Sequence, residues 1–249
     1  MSLRKVGARR RFSRIAYLAG IGLVARRPEA SSAAGDESVV VDLADVRLMR
    51  RCLEIGAAAA ARREMPFGAV IAHDGQEISA EANGVREARD VTRHAEVCAI
   101  VSAQRKLDKA ALDGCTLYSN VEPCAFCSYA IRESRIGRVV FALASPVMGG
   151  ASRWDVLHDD GLEGALPEVF GPPPEVLAGL LADEADAMLR QAAPMIWATS
   201  HARGLFVSAE AERHSRPAKP AKGIMGAVKS ATMDLLRRRL FDRFSRGTS

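Results

Sequence analysis

Residues 119–131 read SNVEPCAFCSYAI, and residues 93–100 read RHAEVCAI. The chain has five cysteines and five histidines in 249 residues. Two of those cysteines and one of those histidines therefore fall into a pattern with a chemical meaning. Cys-x-x-Cys at a helix start places two sulfurs on one turn, able to share a metal ion at about 2.3 Å each. Pro123, just before Cys124, is a residue that suits the start of a helix. The positive end of the helix dipole then favours thiolate over thiol. His94 is expected at the start of a second helix, with Thr92 as its N-cap. Two helix N-termini lying side by side would offer one nitrogen and two sulfurs, a donor set that suits Zn²⁺.

Three protein ligands leave the fourth tetrahedral position open, and an open position marks a catalytic rather than a structural zinc site. A water bound there is acidified toward hydroxide at neutral pH and needs a group to take its proton. Glu96, two residues past His94, is close enough to reach that position without being a ligand. A rival reading uses Cys98, at i+4 from His94 and so on the same helical face. His94, Cys98, Cys124 and Cys127 would then close a four-ligand structural site. In the first reading Cys98 is a buried, inert thiol.

The sequence around these motifs alternates between two periods. Residues 40–63 are Ala-rich, with Leu43, Val46, Met49, Leu53 and Ile55 roughly on one side, and predict a helix. Residues 67–83 predict a β-hairpin around Asp74-Gly75. A helix is expected over 93–106, a strand over 115–120, a helix from 124 to about 134 and a strand over 138–143. PPPEVLAGLLADEADAMLRQ (172–191) reads as a helix entered through prolines. Helices alternating with strands imply an α/β sandwich around a mixed sheet.

Length and composition frame this core. The chain suits one sizeable domain with tails, and it needs no staples to bury a core. An odd cysteine count in a chain this long argues against a disulfide framework and for a reducing compartment. Charge is unevenly spread. Residues 1–28 hold eight of the 35 basic side chains and no acid. Residues 213–249 hold ten more against two acids, so 17 basic and 28 acidic residues remain in 29–212, a net of about −11.

Three segments follow: a basic extension at 1–35, a domain carrying the metal motifs with a helical extension at 36–207, and a basic linker with an amphipathic helix at 208–249. The first segment reads as a disordered extension, as an export leader built on RRRFSR, or as an organelle transit peptide. A cytoplasmic location is the expectation, with export and organelle targeting left open. The last segment suits docking on the protein's own domain, a membrane surface or nucleic acid.

The combination of His-x-Glu with a distant Pro-Cys-x-x-Cys is a known signature of zinc nucleobase deaminases. The chain resembles the cytidine-deaminase-like superfamily, and within it the guanine deaminase and tRNA adenosine deaminase branch. PFGAVIAHDG, Asn83, DVTRHAEVCAI, LYSNVEPCAFC and RIGRVVFA carry the resemblance, over roughly residues 40–145. It implies a three-layer α/β/α sandwich with a mixed central sheet. It implies that His94, Cys124 and Cys127 ligate Zn²⁺ and that Glu96 is the catalytic proton carrier. It implies that Asn83 contacts the substrate, that the backbone around Ala69 and Glu122 lines the pocket, and that Phe67 packs on the base. A homodimer is implied as well. Val91 and Arg93 depart from the family, which commonly has Pro and a small residue there. Trp154 and His158 are candidates to close the pocket, weighed against ordinary packing.

The implied activity is hydrolytic deamination of an amino-substituted nucleobase or nucleoside. The acidic domain favours a small, guanine-like substrate over an adenosine held in tRNA, because phosphate backbones are bound by positive charge. The alternative of another class is a non-catalytic protein with a His/Cys3 structural zinc site and tails that bind nucleic acid or membrane.

Overall fold

A computed structural model describes residues 41–208. The expected extension at 1–35, and the linker and amphipathic helix at 208–249 beyond Ser208, lie outside the described residues. Among the described residues no helix is long and apolar enough to cross a membrane.

Helix α1 (Leu43–Ala61) begins with a reciprocal cap: Asp42 accepts from the Asp45 N–H, and Asp45 accepts from the Asp42 N–H. Its buried face is Leu48, Met49, Cys52, Leu53, Gly56 and Ala59. Leu43, expected on that face, is 88% exposed. Nine residues at about 100° each put it half a turn away from Cys52.

The hairpin forms where expected, as β1 (Gly68–His73) and β2 (Gln76–Ala82). Asp74 and Gly75 carry φ of 48° and 70°. Two left-handed residues make the turn whose twist matches the strands. Gly68 is where α1 crosses β1: a Cβ there would stand 2.5 Å from the Cys52 carbonyl oxygen.

Next come the short α2 (Val85–Ala88), α3 (Ala95–Leu107), β3 (Cys115–Val121), α4 (Ala125–Glu133), β4 (Arg138–Ala144) and α5 (Gly161–Ala165). Beyond them the expectation of one helix over 172–191 fails. Glu175–Ala178 form a strand, β5, parallel to β4, and the helix α6 starts only at Ala182 and runs to Ala192. The prolines hold the chain extended, the open edge of β4 supplies its hydrogen-bond partners, and Gly179 at φ 93° turns the chain out of the strand. Helix α7 (Pro194–Ala202) and the two-residue β6 (Val207–Ser208) complete the described fold.

The sheet order is β2-β1-β3-β4-β5, with β6 also pairing β4. The β2-β1 and β1-β3 pairs are antiparallel and the β3-β4 and β4-β5 pairs parallel, so the sheet is mixed. Strand side chains alternate between two cores. Ile71, Leu117, Val139 and Phe141 pack with Ala95, Ala99 and Ile100 of α3 and Ile131 of α4. Val70, Tyr118, Val140 and Ala142 pack with Leu48, Met49 and Cys52 of α1 and Leu189 of α6. The result is the three-layer α/β/α sandwich.

One buried ionic network ties α1 to three strands' worth of chain. The Arg138 guanidinium donates to both Asp45 carboxylate oxygens at 2.6 and 3.0 Å, and the Tyr118 hydroxyl donates to Oδ1 at 2.7 Å. Arg138 also donates to Glu175 on β5 at 3.3 Å. Burial pushes the Asp45 carboxyl up, but the hydrogen bonds from Arg138 and Tyr118 outweigh it, and the group lies below its ordinary 3.8.

Asp45→Asn should therefore cost about 2–3 kcal/mol at pH 7, less than for a fully sealed ion pair, since Arg138 keeps 20% of its side chain exposed. A depressed carboxyl stabilises above its unfolded pKa and stops doing so as pH falls through the lower folded value. Denaturant melts should show the two proteins diverging above about pH 4 and converging below it. A constant gap across that range would refute the linkage.

Candidate metal centre and active-site pocket

Helices α3 and α4 lie on the same face of the sheet and begin in the same way. His94 is the N-cap of α3 and Cys124 the N-cap of α4, each extended, and neither side chain caps its own helix. The side chains are thereby free to face each other. Thr92, expected as the cap of α3, is not one. Its hydroxyl and N–H both donate to Asp90 Oδ1, at 2.7 and 2.9 Å, in a local turn. Pro123 sits one position outside α4.

His94 Nδ1 lies 3.7 Å from Cys124 Sγ and 3.3 Å from Cys127 Sγ, and the two sulfurs are 3.6 Å apart. A tetrahedral zinc with bonds of about 2.3 Å to sulfur and 2.0 Å to nitrogen places such atoms about 3.5–3.8 Å apart. The three donors thus fit zinc in number, kind and spacing. The hydrogen bond from Cys127 pulls the Cys124 thiol down to about 4, and the same bond, with burial, pushes Cys127 up. A dication held there would favour thiolate at both sulfurs.

Cys98 does not join them. Among the described residues the donor atoms gathered within 4.8 Å belong to His94, Cys124 and Cys127. Cys98 is half-buried and lines a different hollow with Glu81, Arg93 and Arg105. The closed four-ligand site is not assembled.

Glu96, in the first turn of α3, is 7% exposed. Its carboxyl accepts from the Ser119 hydroxyl at 3.3 Å and lies 3.5 Å from Cys127 Sγ. Burial pushes its pKa up, so it holds a proton more readily than an ordinary glutamate.

His94, Cys124 and Glu96 open into a cavity of about 340 Å³, with Cys127 buried behind them. Phe67, Asn83, Val121 and Glu122 line it from the strand ends, and Met148 and Phe206 from later in the chain. Ala69 does not line it; its side chain is fully buried in the core beneath α3. Glu122 lines the wall, but its carboxylate is committed elsewhere. It accepts from the backbone N–H of Ser145, Ala151 and Ser152 and from the Ser152 hydroxyl, at 2.6–2.9 Å. This holds the 145–152 loop in place. A Cβ on Gly149 would fall 2.2 Å from the Glu122 carboxylate, so that loop position needs glycine.

Two participants escaped the sequence reading. Glu64 is buried and accepts from the Asn83 side chain at 3.0 Å and from the Met65 N–H at 3.4 Å. It also accepts from the backbone N–H of Glu87. Burial raises its pKa, these bonds lower it further, and the carboxylate stays ionised. In sequence it follows Arg62 and Arg63, a local context that carries no signal of burial. Phe206 meets Phe67 edge to face at 5.7 Å. It arrives only because β6 pairs with β4, a contact with no local signal. Trp154 and His158 do not line the cavity: Trp154 is 56% exposed beneath Arg153, and His158 faces Asp155 at the surface. Val91 and Arg93, the departures from the family, are both exposed.

Residues 43–143 match the family described as the cytidine and deoxycytidylate deaminase zinc-binding region. A tRNA-specific adenosine deaminase of Agrobacterium fabrum is 36% identical over 130 residues, which is 52% of this chain and 81% of that protein. The chain belongs to this zinc deaminase family. A tRNA-specific adenosine deaminase of Aquifex aeolicus is 45% identical over 100 residues, 40% of this chain and 66% of the relative, just under two thirds of its length. Among solved structures, a tRNA:A34 deaminase studied for A-to-I editing at the wobble position superposes with a TM-score of 0.50. It is 33% identical and is matched over 57% of this chain and 99% of its own.

Metal analysis of purified variants separates the ligands from the bystander. Cys98→Ala should retain about one zinc per chain, as the wild type does, whereas Cys124→Ala should lose it. Equal loss in both would restore the four-ligand site.

Proposed function

We propose that the protein is a zinc-dependent hydrolytic deaminase whose substrate is an adenosine held in tRNA. The reaction class rests on one observation: a buried carboxyl, Glu96, stands beside three zinc-type donors at a mostly apolar cavity. The substrate rests on the relatives, since a tRNA-specific adenosine deaminase is matched over 81% of its length. The net charge of the domain favoured a small base. Net charge, however, averages over surfaces that never meet the substrate, and it weighs less than this similarity.

In this reading His94, Cys124 and Cys127 hold the zinc, which when bound acidifies a water and polarises the reacting carbon's surroundings. Glu96 takes a proton at its carboxyl and passes it to the ring nitrogen of the base. It then delivers a proton to the departing amino group. The net change consumes one water, exchanges C–NH2 for C=O and releases ammonia. A glutamate with a raised pKa suits both deliveries at neutral pH. Asn83, braced by Glu64, presents its amide to the base edge. Phe67 and Phe206 supply apolar walls that exclude water from the proton path.

A homodimer belongs to the same reading. Phe126 and Tyr129 of α4, with Val147, Met148 and Trp154 of the following loop, are 42–56% exposed. The Ala125 N–H donates to the Met148 carbonyl, which ties the two segments into one surface beside the pocket. Sedimentation should give twice the chain mass, and Phe126→Ser/Tyr129→Ser should lower it.

Inosine formation in tRNA, set beside ammonia release from free bases, nucleosides and pterins, tests the substrate. The zinc-loaded full chain should form inosine. Turnover of guanine or another free base with no inosine would replace tRNA by a small molecule. Glu96→Gln should keep its zinc and lose about 10³-fold in rate; normal turnover would remove Glu96 from the chemistry.

A further inference from the structure

The segment that leaves α1 is basic and adjoins the catalytic cavity through Arg86. The chain leaves the helix through Arg62 and Arg63, the latter in the left-handed region at φ 63°. Such a backbone is uncommon outside glycine and is held by its surroundings. Here the Glu64 N–H donates to the Ala59 carbonyl, and Arg86 of α2 donates to the Arg63 carbonyl at 2.8 Å. Arg62, Arg63 and Arg86, with Glu64 and Glu87, line a hollow of about 390 Å³. Arg86 also lines the catalytic cavity, so the two spaces share a wall.

The charge balance of this hollow is more positive in effect than in count. The Glu64 carboxylate is turned inward and spent on Asn83 and on backbone N–H groups. Glu87 remains as the one acid with a side chain at the surface. Among the described residues, none of the three arginines takes part in an ion pair. Arg62 and Arg86 each place one Nη1 on a backbone carbonyl, at 3.3 and 2.8 Å. That orients the guanidinium while leaving further N–H donors unengaged, the arrangement in which arginine binds phosphate oxygens.

We propose that this hollow is a phosphate subsite, which holds a phosphate of the strand that delivers the base to the catalytic cavity. The inference rests on the tRNA reading and adds to it the contact that positions the strand. It also meets the electrostatic objection to that reading. A domain with a net negative charge binds a nucleic acid where its own positive groups are gathered, and phosphate contacts set register without reading sequence.

The test is a salt titration of binding by the zinc-loaded full chain, with a short labelled RNA hairpin carrying an adenosine in its loop as the probe. Arg62→Gln/Arg86→Gln is compared with wild type and with Arg105→Gln, which lies in the separate hollow beside Cys98. The double variant should keep its zinc and stay folded, with a thermal midpoint lowered by the loss of the bonds to the Ala58 and Arg63 carbonyls. It should bind the RNA about tenfold more weakly, with the slope of log K against log salt reduced by about one. Arg105→Gln should behave as wild type. An unchanged slope in the double variant, an equal loss in Arg105→Gln, or no RNA binding by the wild type each overturns the subsite. A second arm compares adenosine with adenosine 5′-monophosphate as competitors. If the double variant loses only its preference for the monophosphate, the hollow serves a free nucleotide and the strand form is wrong. Binding that shows the expected slope change, but without inosine formation, keeps the subsite and removes the tRNA substrate reading.

Discussion

Three donor atoms, His94 Nδ1, Cys124 Sγ and Cys127 Sγ, are held 3.3–3.7 Å apart, close to the spacing a tetrahedral zinc needs. Nothing local to either helix can arrange this, because the histidine and the cysteines come from different elements. The sheet does it. Helices α3 and α4 pack side by side on one face through Ala95, Ala99, Ile100 and Ile131, over Ile71, Leu117 and Val139. Alanines on α3 let the helix lie close to the strands. That packing brings both N-termini to the same end of the sheet. The capping positions, normally occupied by residues that satisfy the helix, are given to ligands instead.

Three glutamates around the pocket divide the remaining work by environment. Glu96 is buried with weak hydrogen-bond support, so burial dominates and raises its pKa. Glu64 is also buried but receives donors from Asn83 and from the backbone, so it stays charged and braces the Asn83 amide in the cavity wall. Glu122 is consumed by the 145–152 loop. The same side chain thus serves as brace and loop anchor and, in the proposed reaction, as proton carrier. Which role it takes depends on how many donors reach it.

Charge shows the same dependence on place. Summed over the domain it is negative, and a reasoner with only that sum expects repulsion from RNA. Yet Arg62, Arg63 and Arg86 come together beside the pocket from two segments about twenty residues apart. The screening length in physiological salt is about 8 Å. A strand bound as proposed would therefore respond to the side chains next to it more than to acids on the far face.

Much of this protein was legible in its residues. The metal triad and Glu96 followed from spacing, since two residues or three along a helix start have one geometry. The hairpin followed from Asp74-Gly75, and β3 and β4 from short apolar runs of strand length. These are local signals, and local physics decides them. What only the tertiary structure decided is non-local. Glu175–Ala178 became a strand because β4 had an edge to offer, although the same residues read as helix. Phe206 reached Phe67 because β6 paired with β4 across more than sixty positions of chain. Glu64 became a brace, rather than a surface charge, because Asn83 folded back onto it. A strand edge, an aromatic wall and a buried carboxylate each need a partner from elsewhere in the chain. No window of sequence contains both members.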